Sequence, residues 1–129
     1  MVAYADPELL IGAWLHQQTG LKIWTDPRLP GNMRDTAALA HLQRAAGNDD
    51  LALSLDEPLL DCDVYAADAS HARTAAHTIW QAMAFTLPQT TLPGGIYVKR
   101  VQTNPPRWAP DPQIYRRTAT YRVLLHGVV

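Results

Sequence analysis

Twelve consecutive residues, Tyr115 to His126, repeat with a period of two. Tyr115, Arg117, Ala119, Tyr121, Val123 and Leu125 alternate with Arg116, Thr118, Thr120, Arg122, Leu124 and His126. Successive side chains of a strand point to opposite faces, whereas a helix would mix the two sets on every side. The segment is therefore a long strand. Ile96–Thr103 reads as a second strand behind the Pro93-Gly94-Gly95 turn, and the prolyl loop Asn104–Pro112 joins the two into a long hairpin.

Other segments follow from similar local rules. Asp6-Pro7-Glu8 starts a helix: Asp6 caps free N–H groups, Pro7 has none to lose, and Glu8 favours the positive end. Leu9, Leu10, Ala13 and Trp14 recur at helical spacing, and Gly20 offers a C-cap, so this helix runs from about Pro7 to Gln18. Leu21–Trp24 predicts a short strand and Thr25–Asn32 a turn. For Ala37–Ala46, propensity favours a helix and alternation a strand. Gly47–Asp50 closes that segment, and a loop runs on to Asp56-Glu57-Pro58. Leu60, Cys62, Val64 and Ala66 alternate with Asp61, Asp63 and Tyr65, which is a strand with a dry side and a wet side. Asp68 or Ser70 then caps a helix whose apolar stripe is Ala72, Ala75, Ala76, Ile79, Trp80 and Met83. The expected fold is α+β, in the order α-β-(β)-β-α-β-β. A mixed, mostly antiparallel sheet of four to five strands is covered on one face by two helices, in one domain spanning residues 1–129.

Charge is divided along the chain. Residues 1–93 hold eleven acids and five bases, whereas residues 94–129 hold six bases and Asp111 alone. Either the halves pair their charges within one molecule, or an acidic face of one copy meets a basic face of the next. The overall balance of −1 argues against a general nucleic-acid binder. No apolar run is long enough for a membrane helix, and Met1–Asp6 lacks the features of a secretion signal. Cys62 is the single cysteine, which excludes an internal disulfide and fits a reducing compartment.

Catalytic patterns are missing. Asp61 and Asp63 share one side of a strand and could hold a metal or act as an acid–base pair, but no third ligand stands at a telling spacing. Surface carboxylates are the simpler reading. The five histidines are scattered, and neither a nucleophile elbow nor a phosphate loop occurs. No enzyme, metal or cofactor is expected. The hairpin bases with Tyr97, Trp108, Tyr115 and Tyr121 could form a sheet-based RNA-binding module, but the motif of that module is absent. Trp108 either plugs the hairpin's own edge or anchors a subunit interface, where Trp and Arg are enriched.

Several motifs in order carry a family likeness. They are the Asp-Pro-capped helix, Trp24-Thr25-Asp26-x-x-Leu29-Pro30, Asp61-x-Asp63-Val64-Tyr65-Ala66 and the Gly-Gly turn. Last come Pro106-Arg107-Trp108-x-Pro110-Asp111 and Arg116-Arg117-x-Ala119-Thr120-Tyr121-Arg122-Val123. Over roughly residues 5–126 the chain resembles the tail terminator proteins of long-tailed, non-contractile phages, particularly those infecting actinobacteria. The resemblance implies a hexameric ring on the tail tube that stops its polymerisation and docks to head-completion or neck proteins. It would be assembled in the host cytoplasm and end in the virion at the tail–neck junction. Genomic DNA would pass through without specific binding, and no membrane would be involved. The family also favours a strand at Ala37–Ala46. Another neck or minor tail component is the nearest alternative. The residues expected at subunit or partner interfaces are Arg100, Arg107, Trp108, Asp111, Arg116, Arg117, Asp61 and Asp63.

Overall fold

The computed structural model describes residues 6–31, 38–52, 55–111 and 114–126. Helix α1 (Pro7–Thr19) begins as its sequence dictates: Asp6 accepts hydrogen bonds from the N–H groups of Glu8 and Leu9. It ends at Gly20, whose φ of 71° lets its N–H turn back to the His16 carbonyl at 2.8 Å. Strand β1 (Lys22–Trp24) follows, then β2 (Leu39–Ala52) and β3 (Leu55–Ala66). Helix α2 (Ala69–Gln81) is capped by Asp68, which accepts from the His71 N–H. Its last turn widens to a π-helical stretch, Ala82–Thr86, closed by the Leu87 N–H on the Ala82 carbonyl five residues back. Met83 and Leu87 thereby enter the core while Phe85 stays 72% exposed. Strands β4 (Thr91–Leu92), β5 (Ile96–Thr103), β6 (Arg107–Trp108) and β7 (Tyr115–His126) complete the described chain.

The strands form one sheet in the order β1-β2-β3-β7-β5-β4, with β6 beside β7. Only β1 and β2 run parallel; every other pair is antiparallel. Strand β7 is bonded to β3 on one flank, and on the other to β5 and then β6. Its alternation is therefore the spine of the sheet. Ala119, Tyr121, Val123 and Leu125 of β7 join Leu60, Cys62 and Val64 of β3, and Ile11, Leu15, Ala76 and Ile79 of the helices, in one core. Both helices thus cover the same face. Gly12 of α1 makes the close approach: a β-carbon there would stand 3.2 Å from the Thr25 methyl.

Two sequence expectations need correction. The sheet has seven strands among the described residues, not four to five, because two-residue strands flank β5 and the prolyl crossover pairs with β7. The segment expected as a loop, Gly47–Pro58, belongs to β2 and β3 wherever it is described. Pairing of Gly47 with Pro58 and Asn48 with Glu57, beyond an irregularity at Arg44/Ala46, overrides the turn-forming composition. Ala38–Ala46 resolves as strand from Leu39 onward. The expectations on Met1–Ala5, Asn32, Ala37 and Pro112 lie outside the described residues. No helix is long and apolar enough to cross a membrane among the described residues.

Candidate functional site

Register sorts the expected interface residues onto two faces. On β3 and β7, Asp61, Asp63, Arg116, Thr118 and Thr120 project away from the helices, and Arg107 of β6 lies opposite Thr118 on that side. They line a shallow groove of about 330 Å³. Thr120 donates to Asp61 at 3.4 Å, and Arg116 reaches the Pro110 carbonyl at 3.3 Å. The Tyr65 side chain hydrogen-bonds Arg116 and holds the guanidinium's proton above its ordinary affinity, with Asp63 and Asp111 adding attraction. Burial in turn pushes the Tyr65 phenol up. Arg107 makes no ion pair among the described residues.

Arg117 and Trp108 sit on the helix side. They pair across β7 and β6, and the Arg117 guanidinium carbon stands 4.6 Å from the centre of the Trp108 ring. Arg73, on α2, stands 5.6 Å from the same ring, and Tyr115 meets it edge-on at 6.1 Å. Arg117 also donates to the Pro106 carbonyl at 2.8 Å. Trp108 is 42% exposed, so it is a partly open lid on this cluster and not a buried plug.

Arg100 lies at the far end of the helix-free face. It approaches Glu57 at 3.5 Å, and Arg122 approaches the same carboxylate at 3.3 Å. Glu57 is buried, as is Asp56, which Arg44 holds through two hydrogen bonds of 3.0 and 3.2 Å. The basic C-terminal part therefore spends two arginines on an acid from the other half, in line with pairing inside one molecule. The expected interface residues fall on two faces because Arg116 and Arg117 are neighbours on a strand and must face opposite ways. Sequence reasoning missed Arg73 and Glu57. The first has meaning only beside Trp108, distant in sequence, and the second had been assigned to a loop.

Two stretches of sheet edge carry no partner strand among the described residues. Beyond His41, no described strand pairs with the outer flank of β2; Glu8 accepts the Arg44 N–H there at 2.7 Å, leaving Ala45–Ala52. Beyond Val98, none pairs with the outer flank of β5, leaving Lys99–Thr103. The first stretch contains Asp49 and Asp50 and no base; the second contains Lys99 and Arg100 and no acid.

No group of three or more metal-ligating side chains occurs among the described residues. Cys62 is buried, and its thiol is pushed up to about 12 by burial and by Asp63 and Asp61, which makes it a poor nucleophile. No protein-family model matches the chain, and no curated protein matches it.

Proposed function

We propose that this chain is a structural subunit of the tail-terminator kind, which closes into a ring on a phage tail tube and stops its growth. The ring then presents a docking surface to head-completion or neck proteins. The observation that carries the reading is the pair of strand edges at opposite ends of one sheet that no described strand covers, one with Asp49 and Asp50 in its sequence and the other with Lys99 and Arg100. A ring needs two different, complementary surfaces on each copy, because head-to-tail contact closes only when the surfaces are distinct. An exposed edge is a template for another strand, and opposite charge selects which edge it takes. The sequence likeness supplies the setting of tail tube and neck, and the reading assigns the chain no catalytic role.

Arg116 and Arg117 bear on the bore. A lumen rich in arginine would grip DNA phosphates through released counterions and hinder passage. Contacts hold both side chains against their own subunit, Arg116 at Tyr65 and the Pro110 carbonyl, Arg117 on Trp108 and the Pro106 carbonyl, though neither is saturated by them.

The test is size-exclusion chromatography with light scattering on the full chain, followed by negative-stain imaging alone and with tail tubes. The expected result is a six-membered ring, free or formed on tube ends. A chain that stays monomeric and binds no tube end refutes the proposal. So does a ring whose bore is lined by Arg116 and Arg117.

A further inference from the structure

The groove between α2 and the prolyl crossover has the makings of a ligand site that the ring reading does not use. It encloses about 450 Å³ and is lined by Arg73, Thr74, His77, Pro105, Pro106 and Arg117. That volume falls within the range of small-molecule sites. Its two guanidiniums lie against one indole, and neither has a carboxylate within ion-pairing distance among the described residues. Arg117 uses one terminal nitrogen on the Pro106 carbonyl, but its Nε is buried and has no hydrogen-bond partner among the described residues. Arg73 makes no hydrogen bond to any described residue, so its in-plane donors are open.

A buried N–H left without an acceptor is unfavourable, and two like charges beside one ring repel. An anion held between the two guanidiniums offsets that repulsion. Guanidiniums engaged with an aromatic ring still have in-plane N–H groups with which to grip a carboxylate or a phosphate in forked fashion. We infer that this groove is an oxyanion site, in which Arg73 and Arg117 together hold a carboxylate or phosphate group beside Trp108. Arg117 is tied to the prolyl loop through the Pro106 carbonyl, so of the two arginines only Arg73 must be ordered when the ligand arrives.

The experiment titrates the ¹⁵N-labelled full chain at low salt with two probes, inorganic phosphate and succinate, following the Nε–H resonance of Arg117 and the heat of binding. The proposal expects a saturable shift of that resonance with at least one probe. The tighter probe tells whether the ligand group is a phosphate or a carboxylate. Arg73→Gln, on the surface of α2, is expected to keep the fold and weaken binding about tenfold, the loss of one charge-assisted contact. Arg117→Gln is expected to abolish the binding heat. A shift that rises linearly without saturating for both probes, or an Arg73→Gln protein that binds like wild type, overturns the assignment. Neither outcome depends on whether the chain forms a ring.

Discussion

Arg44, Asp56 and Cys62 show what burial does to single groups. The Asp56 side chain is 5% exposed and its carboxylate is gripped by Arg44 from a strand that sequence left undecided. Removing one partner of such a pair strands the other charge away from water, at a cost of about 3–5 kcal/mol. Arg44→Ala is therefore expected to lower the unfolding free energy by about 3 kcal/mol in urea, whereas Arg44→Met with Asp56→Leu recovers most of it. An unchanged midpoint for Arg44→Ala would show that water already reaches the pair. Cys62 acts at alkaline pH. Its folded thiol holds its proton up to about 12 against an ordinary 9.0, so the stability it supports is intact below pH 9 and declines as pH rises toward 12. Burial raises the Tyr121 phenol as well, which steepens the same alkaline loss. Iodoacetamide at pH 8 should label native protein about a hundredfold more slowly than denatured protein, since only the thiolate of an opened state reacts. Comparable rates would mean that Cys62 is not enclosed.

Among the elements, the turn before β5 is set by two glycines. Gly94 and Gly95 have φ of 83° and 79°, where a β-carbon is strained, and the Gly95 N–H closes the turn on the Leu92 carbonyl at 3.2 Å. Gly95→Ala should cost about 1–2 kcal/mol in thermal unfolding; no loss would mean that the turn relaxes into another form. This turn, the caps of α1 and the alternation of β7 were legible in sequence because each depends on contacts a few residues apart or on a strict period. Strand β2 was not. Ala45, Ala46 and Gly47 carry no strand preference of their own, and their conformation is imposed by pairing with β3. Strand β6 is two residues long and exists because Arg107 and Trp108 meet Thr118 and Arg117. The same holds for the Arg73–Trp108–Arg117 cluster: spacing on a strand placed Arg117, but only the packing of α2 on the sheet brings Arg73 beside it.

For the molecule as a whole, the uneven charge along the chain has two outlets. Glu57 absorbs part of it inside the subunit by drawing in Arg100 and Arg122 from the basic half. Lys99, on the part of β5 that no described strand pairs with, makes no ion pair among the described residues, and in the proposed ring it would face Asp49 and Asp50 of β2 in the next copy. Head-to-tail pairing of this kind makes a prediction that symmetric pairing does not. Lys99→Glu spoils the β5 edge, and Asp49→Lys with Asp50→Lys spoils the β2 edge, so each protein alone should assemble at least tenfold more weakly than wild type. Mixed, the altered β5 edge of one faces the altered β2 edge of the other with opposite charge. The remaining wild-type edges also match, so light scattering should show assembly restored in a mixture of the two. Salt near 1 M shrinks the Debye length to about 3 Å and should erase the differences between variants. If the edges paired like with like, wild type would already set basic against basic and acidic against acidic, so neither set of substitutions would weaken the assembly of its protein alone. Variants that assemble as well as wild type on their own, or a mixture that stays as weak as its components, would separate the charge asymmetry from self-association altogether.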